Sequence, residues 1–330
     1  MSDLYHVPGD DGKTYRLAKF VEYQHEAASI NERFMGEYIK KYSIDRDRAV
    51  DMCFYMLVTY NEITCILLDD LLRKMSPEEV WKRYKPVLNF GSARKYAKNN
   101  DQFCDLIGEW RAMTNNQPFK WLIRHFKTSE ELTCKSIQSS IENMVYVGRF
   151  ASDLFLEALV YIRDYLEVPI KFPETKEWKD CANLTSGLYN IFYEDERANL
   201  FDKTKKVTPL EKSYLTKKIK VIQDAIHETY PEQPYEIQDF IGKVCSFRNL
   251  FKNARYGGFH HDRQQGVLIE YEKTFPEYQW MWDRCYELRK EIFPHKFLGE
   301  LGGWEGIRPE RKKIWLATGR TGVEEEETNG

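Results

Sequence analysis

The sequence predicts a mainly α fold, built as a globular array of many helices. Long intervals contain neither proline nor glycine, among them residues 44–75, 129–147 and 188–208, and they are rich in Leu, Glu, Lys and Arg. Such intervals are typical of helices. The alternating Val, Ile and Thr patterns that indicate strands are scarce. With 42% hydrophobic and 15% aromatic residues, the chain has enough apolar surface for a folded core.

Start signals place the predicted helices in order along the chain. Asp45 is the predicted N-cap of a helix that runs to about Lys74, and the segment Ser76-Pro77-Glu78-Glu79 opens the next helix. The segment Thr208-Pro209-Leu210-Glu211 has the pattern of a capping box. Further helices are predicted over residues 92–111, 116–126, 129–146, 150–165, 208–229, 235–252, 262–274 and 277–291.

The helices divide into predicted parts. A helix restarts near residue 127, so residues 1–127 are expected to form an N-terminal helical subdomain and residues 128–318 the region that carries the functional site. Residues 319–330 form an acidic tail that we expect to be flexible and solvated. Between two helices, residues 203–207 form a basic loop that is expected to be exposed.

Composition and charge limit the possible classes of function. The formal net charge is -3, so a nucleic acid would be bound through local basic patches and not by a uniformly basic surface. Seven cysteines are scattered without a C-x-x-C pair, which favours a reduced, cytoplasmic protein with mostly buried thiols. We find neither a secretory signal pattern nor an apolar run of the ~18 residues that a membrane helix requires. We therefore expect no membrane partner, and we expect no metal or other cofactor.

The segment from Phe247 to Gln264 carries the most chemistry. Its candidate phosphate-binding residues are Arg248, Lys252, Arg255 and Arg263, and its candidate acids and bases are His260, His261 and Asp262. Four cations in one corner repel each other, and a bound anion relieves the repulsion. Arginine suits a phosphate because its guanidinium donates two parallel hydrogen bonds. Histidine titrates near neutral pH, so either histidine can serve as an acid or a base.

Two other interpretations of this segment stay open. In one, the cations complement the dipole at the C-terminus of the preceding helix, and Asp262 caps the following helix. In the other, the run His260-His261-Asp262 binds a metal, although adjacent side chains in an extended turn would point apart. The residues alone leave the phosphate and capping interpretations equally open.

Two shorter motifs precede this segment. Gly148 breaks one helix before the next begins, so Arg149 is expected at a helix N-terminus, where free backbone N–H groups already favour an anion. The alternative is a surface arginine in an interhelix turn. The small residues of Thr185-Ser186-Gly187 would let a ligand approach the backbone, although a simple helix cap is the favoured explanation.

Two acidic patterns resemble metal sites, but polar helix faces explain them better. Glu22-Tyr23-Gln24-His25 is half of a di-iron motif, and the sequence contains no second copy. Asp51, Glu62 and Asp69 return to nearly one angle if a single helix holds them, and paired acids of this kind can bind magnesium. We interpret both patterns as the solvated sides of helices.

Several motifs occur in the order found in phage proteins that hypermodify DNA bases. They are Gly148-Arg149-Phe150 with Glu157, then Thr185-Ser186-Gly187-Leu188, then Arg255-Tyr256-Gly257-Gly258 with Asp262-Arg263-Gln264. In these motifs the chain resembles the amino acid:DNA transferases, relatives of the α-glutamyl/putrescinyl thymine pyrophosphorylases. The resemblance spans roughly residues 130–320, and the N-terminal third of the chain takes no part in it.

The resemblance implies a fold similar to helix-hairpin-helix DNA glycosylases and a reaction on double-stranded DNA in the cytoplasm of an infected bacterial host. An amine from an amino acid or polyamine displaces the phosphate of 5-phosphomethyl-deoxyuridine at the 5-methylene carbon. The reacting base must leave the duplex, and Tyr256, Phe259 or Trp304 would stack on it or fill its place. Glu157 then joins the histidines and Asp262 as a candidate catalytic residue, and Arg149 joins the phosphate-binding cations.

Two alternative functions stay open beside the transferase. One is a non-enzymatic helical protein that binds nucleic acid or another partner, and the other is a glycosylase-like or nuclease enzyme that acts on DNA. A deep cationic pocket that holds Arg149 with Arg255 and Arg263 would favour the transferase. A flat basic face would favour the binding protein.

Overall fold

The computed structural model describes residues 17–18, 20–21, 30–90, 97, 99–126, 133–170, 182–192, 208–231, 244 and 259–292. Of these residues, 81% are helical and none belongs to a strand. The mainly α class predicted from the sequence is therefore confirmed. No described helix combines the length and the apolar character that crossing a membrane requires.

Thirteen α-helices lie in the described residues. In chain order they are α1 (Ile30–Lys41), α2 (Arg46–Thr59), α3 (Glu62–Lys74), α4 (Pro77–Tyr84), α5 (Asn100–Thr114), α6 (Pro118–His125), α7 (Thr133–Glu142), α8 (Arg149–Tyr161), α9 (Arg163–Leu166), α10 (Ala182–Ile191), α11 (Pro209–Thr229), α12 (Phe259–Thr274) and α13 (Gln279–Ile292). A 3-10 turn at Pro276–Tyr278 joins the last two. The predicted helix 235–252 lies outside the described residues except for Val244.

The chain divides into two compact units. Unit I combines Met1–Ile30, Glu174–Gly266 and Phe293–Gly330, and unit II combines Asn31–Pro173 and Val267–Ile292. Helix α12 contributes residues to both units. The boundary predicted near residue 127 falls within the range of unit II, and residues 127–132 lie outside the described part. The division into an N-terminal subdomain, a site region and a tail stays a prediction.

The single helix predicted from Asp45 to about Lys74 is two helices. Asp45 caps α2 as expected, because its carboxylate accepts hydrogen bonds from two backbone N–H groups of the first turn. Helix α2 ends at Tyr60, whose backbone is left-handed (φ 48°, ψ 35°), and Asn61 then caps α3 by accepting the N–H of Thr64 at 2.9 Å. Neither residue at the break is glycine or proline, so a search for those two breakers misses it.

Both helix starts with the strongest sequence signals are confirmed. At α4, Ser76 Oγ accepts the N–H of Glu79, and the Glu79 carboxylate accepts the N–H of Ser76. Thr208 and Glu211 make the same reciprocal pair at the start of α11. Each capping box satisfies two backbone donors that a helix start leaves without a partner. The local sequence therefore fixes where these helices begin.

Unit II is organised around four rings that we call the aromatic core: Phe54, Trp110, Trp121 and Phe155. Phe54 of α2 stacks on Trp110 of α5, with centroids 4.4 Å apart and planes inclined by 3°. Trp121 of α6 and Phe155 of α8 meet the same indole edge-on, at 5.3 and 5.6 Å. Ring pairs stabilise a fold beyond the burial of their area. The four helices that supply these rings are therefore held together at this point.

A buried tyrosine anchors the C-terminal half of α12 in unit II. The phenol oxygen of Tyr271 lies 2.7 Å from Thr64 Oγ1 of α3 and accepts the backbone N–H of Asn89 at 2.7 Å. Burial raises the pKa of Tyr271 far above its ordinary value, so the phenol stays protonated. Its hydroxyl therefore holds α12 to α3 as a neutral group.

The described cysteines are free thiols, as the scattered spacing predicted. Cys53, Cys65, Cys134 and Cys285 are buried, and Cys104 is partly exposed. Burial raises the pKa of Cys53, Cys65 and Cys285, so these thiols stay protonated and unreactive. The prediction of mostly buried thiols is confirmed for this part of the chain.

Unit I is described mainly by α10 and α11, which pack against each other. The buried residues of α11 recur three or four positions apart, at Leu215, Ile219, Ile222 and Ile226. The rings of Tyr189 in α10 and Tyr214 in α11 stack with centroids 6.1 Å apart. Buried residues three or four positions apart mark one face of a helix, so α11 has a buried side and an exposed side.

Candidate functional site

Four of the predicted site residues lie in the first turns of α12. The helix begins at Phe259, so the backbone of His260, His261, Asp262 and Arg263 is helical. The sequence predicted a helix only from residue 262, and the extended turn assumed for the two histidines is wrong. The first N–H groups of a helix have no intrahelical partner and carry partial positive charge. The backbone here therefore favours a bound anion.

Much of the predicted cluster lies outside the described residues. This applies to Arg248, Lys252, Arg255, Tyr256 and Trp304, and to the side chains of the four site residues in the first turns of α12. The separate Glu22–His25 motif also lies outside the described residues. Gln264 is the first residue of α12 with a described side chain, and its exposed fraction is 1%. Because this side chain is buried, α12 is already packed within its first two turns, and a buried amide is normally hydrogen-bonded.

Arg149 is the first residue of α8, as Gly148 predicted. Gly148 is the N-cap and offers no side chain to the backbone N–H groups of the first turn. Two turns later Glu157 is half-buried. Between them, Asp153 is buried and accepts a hydrogen bond from Gln138 Nε2 at 3.2 Å. The side chain of Arg149 lies outside the described part, and both Arg149 and Glu157 belong to unit II.

The small residues of the Thr185-Ser186-Gly187 motif lie inside α10, so the expected helix cap is wrong. A β-carbon placed on Gly187 would lie 2.6 Å from the carbonyl oxygen of Val244. The glycine therefore admits a neighbouring backbone, and no ligand is needed to explain it. Thr185 and Ser186 are buried, and Thr185 Oγ1 has no hydrogen-bond partner among the residues that the structure describes.

The acids predicted to share one helix face lie on two helices. Asp51 is in α2, whereas Glu62 and Asp69 are in α3, because the left-handed Tyr60 separates these helices. Glu62 and Asp69 are each only 2% exposed, so their interpretation as a solvated face is wrong. The break at Tyr60 separates Asp51 from the other two acids, whereas Glu62 and Asp69 lie seven positions apart on one face of α3, and that face is buried.

The two aspartates have partners that the sequence did not indicate. Asp51 accepts a hydrogen bond from the indole N–H of Trp110 at 2.7 Å, and Arg48 donates to Asp69 through Nε at 2.9 Å. Burial raises the pKa of Asp51 to about 7, although the bond from Trp110 lowers it. Burial also raises the pKa of Asp69, against the charge of Arg48. These pairs join α2 to α5 and α3, which is a structural role.

The chemistry of the described residues gives no sign of a metal centre. Within the described ranges, no three His, Cys, Asp or Glu residues form a group that could hold a metal ion. Comparison of the chain with protein-family models, with curated proteins and with solved structures finds no match. The start of α12 is the candidate site because two histidines, an aspartate and an arginine follow each other there, and these residue types can move protons and bind an anion.

Proposed function

We propose that this protein transfers an amine to a phosphorylated base in DNA. An amine of an amino acid or polyamine would replace the phosphate of 5-phosphomethyl-deoxyuridine. One observation carries the proposal: His260, His261, Asp262 and Arg263 lie in the first turns of α12, directly after Gly257-Gly258. A helix start attracts an anion, and the same turn supplies groups that accept a proton.

The reaction requires both properties in one place. The nitrogen lone pair forms a bond to the 5-methylene carbon, the carbon–oxygen bond breaks, and phosphate leaves with the bonding electrons. The amine attacks in its neutral form and then loses a proton, which Asp262, His260 or His261 accepts in this proposal. The charge of the departing phosphate is stabilised by backbone N–H groups and by the cations of the segment: Arg248, Lys252, Arg255 and Arg263.

Access to the base supports roles for the aromatic residues. A base in a duplex is stacked, so an enzyme acting on its 5-methylene group must extrude it. Tyr256, Phe259 and Trp304 are the candidates to stack on the extruded base. Arg149 and Glu157 enter the proposal only through the family resemblance, as a phosphate-binding residue and a catalytic residue.

A direct assay separates this function from its alternatives. Duplex DNA containing 5-phosphomethyluracil is incubated with the protein and a mixture of amino acids and polyamines, then digested to nucleosides and analysed by mass. We expect one nucleoside to gain the mass of an amine while an equal amount of inorganic phosphate is released. Release of a free base would indicate a glycosylase instead. Intact DNA binding with no mass gain from any amine would leave a binding protein.

A substitution in the segment tests the site. Arg255→Ala should lower turnover by about 100-fold or more, because it removes a cation from the departing phosphate, and the melting temperature should stay unchanged. Arg83→Ala is the matched control, since Arg83 lies in α4 with a side chain that is 61% exposed. An Arg255→Ala protein with the wild-type rate would move the site elsewhere.

A further inference from the structure

Residues 203–223 form a basic stretch in a chain that is acidic overall. They hold seven lysines and one acidic residue, Glu211, whereas the whole chain has a net charge of -3. The sequence prediction of a basic exposed segment covered only residues 203–207. In the structure, α11 begins at Pro209 and carries the basic stretch onward as a regular helix.

Lys217 and Lys220 lie one turn apart on α11 and form a surface that we call the lysine face, and Lys218 lies beside it. Lys217 and Lys220 are exposed, and Lys218 is half-buried. Lys220 pairs with Asp224 one turn later, at 2.7 Å. Among the residues that the structure describes, no acidic side chain forms an ion pair with Lys217. Lys217 therefore keeps its positive charge available to a partner, and Lys220 shares its charge with an exposed acid.

Aromatic rings position the middle lysine. Lys218 Nζ lies 4.0 Å from the ring centroid of Phe192 and 5.1 Å from that of Tyr214. Both rings are half-exposed, and Tyr214 stacks on Tyr189. A cation held against rings has fewer side-chain conformations to lose when it binds a partner. The charge of Lys218 is thus held at a defined place beside the exposed Lys217 and Lys220.

The apolar residues of α11 argue against a membrane as the partner. Leu210 is 83% exposed and Val221 is 45% exposed. They are separated by about three helical turns, and Lys217 lies between them. A helix that lies on a membrane needs a broad apolar face, and the buried apolar face of α11 is already covered within unit I. The positive charge of the lysine face, and not apolar area, therefore determines which kind of partner it can bind.

We propose that the lysine face binds the phosphate backbone of duplex DNA. A duplex carries one negative charge per ~1.7 Å of its axis, so several cations on one helix meet several phosphates. Lysine acts as a point charge and suits the backbone, which is the same for every base sequence. This inference rests on the proposed function for the identity of the partner, and it assigns that partner a contact surface outside α12.

Equilibrium binding of the full chain to a short, unmodified, fluorescently labelled duplex tests the inference over a range of salt concentrations. The test variant is K217Q/K220Q, which leaves the packed Lys218 in place. We expect the plot of log affinity against log salt to become less steep by about 2, and the affinity at low salt to fall about tenfold. The melting temperature should stay within error of the wild type.

The matched control is K82Q/K120Q, which removes the same charge from exposed lysines of α4 and α6. The control should keep the wild-type slope. An unchanged slope in K217Q/K220Q, or an equal loss in the control, would overturn the inference. A chain that binds no duplex at all would overturn both this inference and the DNA partner of the proposed function. Binding that depends on the lysine face, without transfer to 5-phosphomethyluracil, would overturn the proposed function alone.

Discussion

Helices α2 and α11 show two different uses of a helix in this protein. Helix α2 buries ten of its fourteen residues, whereas α11 buries one residue in every three or four and exposes lysines between them. A helix buried on most sides supports the fold, and a helix with an exposed charged side is available to a partner. Substitutions in and around α2 should therefore change stability, and substitutions on the exposed side of α11 should change binding.

The two units also differ in how their partly or fully buried polar groups are paired. In unit II, Asp51 has the indole N–H of Trp110 as a partner, and Asp69 has Arg48. In the described part of unit I, the hydroxyl of Thr185 is buried without a hydrogen-bond partner. An unpaired buried hydroxyl costs free energy, whereas a paired one costs little. Unit I therefore contains a local source of instability that the described part of unit II does not share.

The largest expected effect is at the centre of the aromatic core. Trp110→Ala should lower the free energy of unfolding by about 3–5 kcal/mol, because it empties the space between three rings and removes the partner of Asp51. Chemical denaturation measures this loss. Trp280→Ala is the control, since Trp280 is 46% exposed, and its effect should be small. A loss below about 1 kcal/mol in Trp110→Ala would mean that α2 does not depend on these rings.

The second effect is on the pH dependence of stability. Burial raises the pKa of Asp51 to about 7, so the folded protein favours the protonated carboxyl. Its contribution is fully present below about pH 4, the unfolded pKa, and is lost as the pH rises through the folded pKa, by at most about 4 kcal/mol. Asp51→Asn keeps the shape and an acceptor for Trp110 but cannot ionise.

Unfolding measured between pH 4 and pH 8 should therefore show a flatter profile for Asp51→Asn than for the wild type. Asp105→Asn is the matched control, because Asp105 is an exposed aspartate of α5, and it should keep the wild-type profile. If Asp51→Asn keeps the same slope as the wild type, the carboxyl is ionised in the folded protein. The raised pKa of Asp51 in the folded protein would then be wrong.

Local chemistry explains which features the sequence predicted. The capping box at Thr208 and the position of Arg149 after Gly148 depend on a few adjacent residues, and both are confirmed. The hydrogen bond from Trp110 to Asp51 and the contact of Gly187 with Val244 depend on distant parts of the chain. A pattern of neighbours carries no signal for such contacts. For the same reason the sequence did not predict the partners of Asp51 and Asp69.

The third prediction compares one glycine from each unit. Gly187→Ala should lower the free energy of unfolding by about 1–3 kcal/mol, because the new methyl group meets the backbone of Val244. Gly108→Ala on α5 should raise it by about 0.5–1 kcal/mol, because alanine favours a helix and no atom lies within 4 Å of the new group. Thermal unfolding of the two variants measures whether each change lowers or raises the stability. A neutral Gly187→Ala would show that α10 and Val244 separate easily.

The last prediction compares two buried threonines. Thr185→Val replaces a hydroxyl that has no partner within the described ranges with a methyl group of similar size, so it should raise the free energy of unfolding by about 1 kcal/mol. Thr64→Val should lower it by about 1–3 kcal/mol, because the hydroxyl of Thr64 contacts Tyr271 and donates to the carbonyl oxygen of Asn89. Denaturant unfolding of both variants in the same buffer measures the two opposite changes in the free energy of unfolding. A loss of stability in Thr185→Val would show that the hydroxyl is satisfied in solution, and the difference in buried polar groups between the units would then disappear.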